Sequence, residues 1–414
     1  MPSIMAFRGT YFDTERAGDP ALLVSPCISE VNNLDRAILA ARSKMNIIRV
    51  LRPAKNPDGT YDIPGSGRLF RRMGSEGALR TDDEPSIYRY SMTYQDSDGT
   101  SRTRTGIYCL VESSQESRAR VLPHERTFPD AVRGWATLSA ATDADLSAVF
   151  GLFEDAGSEV ADTLSSSQGE EVLNFSDGAG QSHVLTRLNA ASSSAVISMM
   201  RHRTVVIADG HHRYEAARMS QDERRSFTLA CLFTLDSDGI QIKPFHRHVK
   251  GISPELLMSF PSKLEKSFRV TRVSDLGSLI EGLKHKREGS ACFGAFAPSF
   301  GYMEICPSRE TTSCSTEVLH EEVLQDVLDF GKTPYLKDDG HGRIVRARVN
   351  YTPSPEACVQ AVTDGYSQIA FFTVAPSSSQ VMIAAKSGKP LPEKSTCFQP
   401  KPVEGLLLRR YEDQ

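Results

Sequence analysis

The chain has 414 residues, 39% hydrophobic and 24% charged, with a net charge of −4. That length predicts two packed units rather than one core, and the mixture excludes long disorder. The weak negative charge gives no general field for drawing in nucleic acid, and no apolar run nears the roughly 18 residues of a membrane-spanning helix.

A local basic patch would have to carry any nucleic-acid contact. Arg68-Leu69-Phe70-Arg71-Arg72 and Lys284-His285-Lys286-Arg287 are the candidates, and both read as solvated faces. Met1 to Thr10 lacks the basic-then-apolar order of a secretory signal. Eight scattered cysteines, none in a Cys-x-x-Cys pair, read as reduced thiols. A cytoplasmic protein is the expectation.

Ser86 to Tyr94 alternates like a strand, Asp96-Ser97-Asp98-Gly99 turns, and Thr105 to Val111 returns. This predicts a hairpin, because glycine accepts the positive φ of the turn. Asp143 to Phe153 and Ser192 to Met200 have helical spacing, while Gly157 to Gly180, rich in Ser, Gly and acidic residues, reads as a surface excursion. Phe227 to Leu235, Asp236-Ser237-Asp238-Gly239 and Ile240 to Val249 predict a second hairpin. Beyond residue 250 helices and strands alternate. Pro254 to Phe268, Asp275 to Lys286 and Glu317 to Phe330 read as helices, Ala291 to Phe296 and Tyr302 to Cys306 as strands. Residues 343–352, 355–363, 367–374 and 378–385 follow as strand, helix, strand and helix. The change of texture predicts domains over 1–250 and 251–414 in a mixed α and β protein.

Chemistry concentrates at one place. Thr204-Val205-Val206-Ile207-Ala208 is a β-branched run suited to a buried strand; Asp209-Gly210 breaks it, and His211 to Met219 has helical character. A strand, a glycine turn and a helix start aim backbone N–H groups and a positive dipole end at one spot, which suits an anion. His211, His212 and Arg213 add side-chain donors there, and arginine can fork two oxygens of one phosphate. Asp209 could hold Mg²⁺ or take a proton from an attacking hydroxyl; it could also simply cap the helix. Zinc is disfavoured, since adjacent histidines on a helix diverge by about 100°.

The usual nucleotide signatures are missing. Phe330-Gly331-Lys332-Thr333 looks like the tail of a Walker motif, yet Asp326 stands where its first glycine belongs. Trp135, the single tryptophan, reads as core, and His183, His202, His285 and His341 read as structural or solvated.

Ile207-Ala208-Asp209-Gly210-His211-His212-Arg213-Tyr214-Glu215-Ala216 resembles the central motif of the ParB-like free serine kinases, most closely a long bacterial branch catalogued as a domain of unknown function. Pro123-His124-Glu125-Arg126-Thr127 resembles the family's PHExT segment, Pro244-Phe245-His246-Arg247 its PTHR segment, and Leu319-His320-Glu321 its LHE helix. The stretch from Leu391 to Lys401, with Lys394-Ser395-Thr396, resembles MPxKSTxFxPK. The resemblance implies an α+β fold, with a ParB/sulfiredoxin-like core and a second mixed α/β domain that returns the Lys394 segment to the site. It implies phosphorylation of free L-serine to O-phospho-L-serine, with pyrophosphate, ADP or ATP as donor and Mg²⁺ as cofactor. Asp209 would assist the hydroxyl or the metal. His211, His212, Arg213, Lys394, Ser395, Thr396 and Lys401 would hold donor phosphates, and His124, Glu125, His246 and Arg247 would line the substrate pocket.

One departure stands out. Where the family shows Pro-Pro-Tyr-Asp, this chain has Ser25-Pro26-Cys27-Ile28-Ser29-Glu30. Ile28 can neither bind Mg²⁺ nor accept a proton, so Glu30 becomes the candidate for that catalytic role. The alternative is a catalytically silent module that binds a nucleotide or pyrophosphate. A ParB-type DNA switch is disfavoured by the acidic balance.

Overall fold

The computed structural model describes residues 4–96, 99–114, 120–235, 240–287, 289–330, 337–338, 344–345 and 349–412. The chain forms two compact units. The first comprises Met1–Pro123, Thr127–Ile240 and Pro400–Gln414; the second comprises His124–Arg126 and Gln241–Gln399.

A mixed nine-stranded sheet organises the first unit. In spatial order its strands are Val121–Leu122, Val205–Asp209, Val149–Phe153, Phe227–Thr234, Ser101–Glu112, Tyr88–Gln95, Ser182–Leu188 and Gly169–Ser176, and Ile4–Met5 adds to Ser101–Glu112. The first predicted hairpin is present: Tyr88–Gln95 pairs antiparallel with Ser101–Glu112, Tyr88 opposite Tyr108. Its alternation buries Tyr88, Tyr90, Met92 and Tyr94, as the period of two requires. The turn residues Ser97 and Asp98 lie outside the described residues.

The Val205–Asp209 strand runs parallel to Val121–Leu122 and antiparallel to Val149–Phe153. Val205 and Ile207 enter a core with Tyr214, with Val160 and Leu164 of the Glu159–Ser166 helix, and with Val196 and Met200 of the Ala190–Met200 helix. Ile207 is fully buried, so Ile207→Ala costs about 2–5 kcal/mol. A second core joins Leu51, Phe70, Met73 and Leu138, with the helices Ile63–Ser75 and Pro129–Thr142 contributing its larger side chains.

Three expectations fail here. Asp143 to Phe153 is not a helix: the Pro129–Thr142 helix stops at Asp143, which is left-handed (φ 51°), and Val149–Phe153 is a strand buried at every residue. Apolar spacing alone cannot separate such a strand from a helix. The surface excursion of Gly157 to Gly180 contains the Glu159–Ser166 helix and the Gly169–Ser176 strand. The second hairpin is not formed. Phe227–Thr234 pairs with Ser101–Glu112 and Val149–Phe153, whereas Gln241–Lys243 pairs with Cys397–Gln399. Its turn, 236–239, lies outside the described residues.

The second unit is built on a six-stranded antiparallel sheet, ordered Phe268–Val273, Gly301–Pro307, Phe293–Ala297, Ile369–Thr373, His246–Val249 and Val349–Thr352. One core packs Phe293, Ile305 and Phe371 with Phe260, Leu319 and Val323; another packs Ala370 and Phe372 with Leu279, Leu283 and Val362. The predicted helix from Glu317 is a short α-turn, Ser315–Val318, continued as π-helix over Leu319–Val327. The predicted Pro254 to Phe268 helix ends at Leu264, and Phe268 opens a strand. His341 and the Walker-like residues Gly331 to Thr333 lie outside the described residues.

The expectation of eight reduced thiols also needs correction. Cys292 and Cys306 form a disulfide, with Cα atoms 4.3 Å apart. Phe293 pairs with Ile305, so the strand register brings the two flanking cysteines together, which spacing along the chain does not reveal. The other six are free and buried. No helix among the described residues is long and apolar enough to cross a membrane.

Candidate active site

The strand-to-helix corner predicted at residues 204–219 is present: the Val205–Asp209 strand, Gly210, then the His211–Arg218 helix. A register shift between Ile207 and Asp209 turns the strand end out of its ladder. Gly210 has φ 95° and is the helix N-cap, with no side-chain cap, so Asp209 is not capping. A Cβ at Gly210 would lie 2.7 Å from Arg213 Nε. Glycine is thus needed twice, for the left-handed backbone and for the space the guanidinium fills.

Asp209 is the centre of a charge cluster inside the first unit. Arg213 Nη2 donates to Asp209 Oδ2 at 2.6 Å, and Lys401 Nζ donates to Asp209 Oδ1 at 2.5 Å and to Ser29 Oγ at 2.8 Å. Arg213 Nη1 also donates to Ser147 Oγ and lies 3.5 Å from Glu404 Oε1. Glu404 Oε1 accepts the Ile28 N–H at 3.3 Å. Two buried cations therefore face two carboxylates around a void of only about 10 Å³, also lined by Cys27 and Tyr108. At ~3 Å and an effective dielectric near 20, one such pair attracts by roughly 5 kcal/mol, much of it offset by desolvation.

Burial sets the proton affinities. It raises the Glu404 carboxyl above its ordinary range, with Arg213 opposing the rise. Burial alone would lower Arg213, but Glu404 and Asp209 lift it above its ordinary value. Cys27, whose Sγ lies 3.9 Å from Asp209 Oδ2, is pushed up to about 12 by burial and by Asp209, and stays a thiol.

The expected Mg²⁺ does not fit this arrangement. Both oxygens of Asp209 already bind cationic side chains, and among the described residues no group of three His, Cys, Asp or Glu is placed to hold a metal.

His211 is buried, and His212 Nε2 accepts the Phe128 N–H at 3.0 Å while its ring stacks on Phe128. Glu30 is exposed at the end of the Cys27–Glu30 turn. Trp135, expected as core, is only half-buried: it lies 5.5 Å from the Arg213 guanidinium and walls a cleft. Glu404, the buried carboxylate of the cluster, was missed. Its signal was a lone acid just before Leu406-Leu407-Leu408, which can be buried only beside a cation.

The remaining candidates belong to the second unit. Glu125 accepts from Lys394 N–H (3.1 Å), Thr396 N–H (2.8 Å) and Thr396 Oγ1 (2.7 Å). Since that hydroxyl donates to Glu125, His124 Nε2, 2.8 Å from it, is the donor of their bond. Arg247, fully buried, donates to the carbonyls of Phe245, Glu393 and Lys394. Ser395 Oγ donates to Pro392 O at 2.6 Å. His246 Nδ1 accepts the Thr373 N–H at 3.3 Å, and burial and then Arg247 lower its pKa to about 4. These groups shape a loop in which Lys394 has φ 55°, a strained conformation for a side-chain-bearing residue. Lys394 Nζ lies over the Phe245 ring at 5.2 Å.

The chain belongs to the family described as protein of unknown function (DUF1015), whose profile matches residues 4–329. No curated protein matches it in sequence. Among solved structures it is similar to a free serine kinase in complex with AMP, with 14% identity and a TM-score of 0.37 over 70% of this chain and 86% of that one. It is also similar to a conserved hypothetical protein from Pyrococcus furiosus, with 14% identity and a TM-score of 0.39 over 74% and 96%. SbnI from Staphylococcus aureus, truncated at its C-terminus, has 10% identity and a TM-score of 0.37 over 70% and 82%. At such scores the likeness carries no functional weight.

Proposed function

We propose that the protein is a phosphotransferase that moves a phosphoryl group onto the hydroxyl of a small molecule, with Arg213 and Lys401 holding donor phosphate. The observation behind this reading is that these two buried cations converge on Asp209 where a strand turns into a helix. Phosphoryl transfer asks a protein chiefly for positioning and charge neutralisation. The cluster is charge-balanced by Asp209 and Glu404, so an incoming phosphate can exchange for a carboxylate instead of entering an empty field. Asp209, released from one cation, receives the hydroxyl proton late in a loose transition state, so a strong base is not required.

Free L-serine is the acceptor that the sequence resemblance implies, with pyrophosphate, ADP or ATP as donor; His211 and His212 would add donors at the helix start. O-phosphoserine formation, followed by ³¹P NMR with each donor and with or without Mg²⁺, tests the reading. Lys401→Met should lower kcat/KM about 10²–10³-fold, the usual loss for one preorganised donor. No ester from serine or any other alcohol, from folded protein, rejects it.

The second reading is a silent phosphate-binding module, favoured by Ile28 and by the exposure of Glu30. It expects calorimetric binding of pyrophosphate without turnover.

A further inference from the structure

A cleft of about 460 Å³ in the first unit has two walls, Ser29 and Trp135, that touch cations of the charge cluster. That volume lies within the roughly 300–1,000 Å³ typical of small-molecule sites. Its walls are Ile28, Leu51, Pro53 and Ile63 with the rings of Tyr61 and Trp135. Ser29 lines it too, and its Oγ takes the hydrogen bond from Lys401 that leads to Asp209. Trp135 links the two on another side, because the Arg213 guanidinium lies near its ring.

The charge content of the walls is informative. Among the described residues the lining holds no carboxylate, and its arginine, Arg52, donates to Val31 O and to Asn33 Oδ1 (2.8 Å). An amino acid entering this cleft would give up hydration of an ammonium with no carboxylate in the lining to receive it, and would find only Arg52, already bonded to Val31 and Asn33, for its own carboxylate. An apolar body gains instead, about fourfold in affinity for each methylene buried. Ile28 lines the cleft and packs against the core beneath it.

Resting on the phosphotransferase reading, we propose that this cleft is the acceptor subsite, and that it takes an alcohol with an apolar, ring-bearing body ahead of free L-serine. The acceptor oxygen bonds to phosphorus as the bridging P–O bond of the donor breaks. The electron pair of that bond leaves with the departing phosphate, and the hydroxyl proton passes to Asp209. The products are a phosphate monoester and the shortened donor.

The test compares L-serine with 2-phenylethanol, 3-phenylpropan-1-ol and cyclohexylmethanol, using pyrophosphate, ADP and ATP as donors and ³¹P NMR as readout. The ring alcohols should exceed serine at least about tenfold in kcat/KM. Tyr61→Ala, at a residue 44% exposed, should raise KM for the aryl alcohols several-fold more than KM for serine. Ile28→Asp should shift the ratio toward serine. Serine preferred by the native protein, with a ratio that neither variant moves, overturns the proposal. If no acceptor yields an ester, the phosphotransferase reading falls by itself. Saturation-transfer NMR then decides the cleft: phenyl signals that weaken in Tyr61→Ala uphold its apolar preference, and binding of serine alone refutes it.

Discussion

Arginine does different work in the two units. In the first, Arg213 faces side chains: Asp209 and Glu404, which border a small void, and the Ser147 hydroxyl. In the second, Arg247 faces main chain, with three carbonyls and the Thr373 hydroxyl as acceptors and no exposed surface. Side-chain carboxylates can trade a cation for an incoming anion. Carbonyls fixed in a loop cannot, so Arg247 serves as a staple that holds Lys394 in its strained backbone state.

The sharpest way to break this contrast is Arg213→Met. It leaves two buried carboxylates facing a single cation, and should cost about 3–5 kcal/mol in urea unfolding, with pyrophosphate binding lost in calorimetry. Adding Glu404→Gln should recover part of the stability and none of the binding.

An acid titration probes the second unit. His246 is held neutral by burial, with a folded-state pKa of about 4 against 6.5 in the open chain. The unfolded state therefore binds the extra proton between those values. Its contribution, roughly 3 kcal/mol, is intact above pH 6.5 and lost as pH falls toward 4. His320 is depressed in the same direction by burial, Arg247 and Arg126 and adds to the slope. His246→Asn should flatten the urea midpoint between pH 6.5 and 4; an unchanged profile would remove His246 as the cause.

The smallest expected effect is at Lys394. Lys394→Gly relieves the positive φ and should gain roughly 1 kcal/mol in urea unfolding. A loss would mean that the contact with Phe245 outweighs the strain.

The corner at Asp209 was readable because everything that makes it is local: a β-branched run, a glycine and a helix start within about fifteen residues. The first hairpin was readable for the same reason. Lys401 carried a motif but no hint of its partner, since the contact with Asp209 spans 192 positions. Glu404 carried no motif at all. Val149–Phe153 was misread because a strand flanked on both sides is apolar throughout, and Gly151 leaves no room for a side chain between Leu232 and Val205. The Cys292–Cys306 bond follows from strand register, which composition does not encode.

The path of the chain has a consequence for its synthesis. The first unit is left at Ile240 and rejoined only at Pro400. A ribosome-bound chain thus displays Asp209 and Arg213 for some 190 further residues before Lys401 and Glu404 emerge. Until then the arginine has one acid beside it instead of two, and the acid lacks its lysine. Chains cut short anywhere before that last segment carry the Asp209–Arg213 pair without Lys401 and Glu404, so the corner reaches its full set of partners only when synthesis is nearly done.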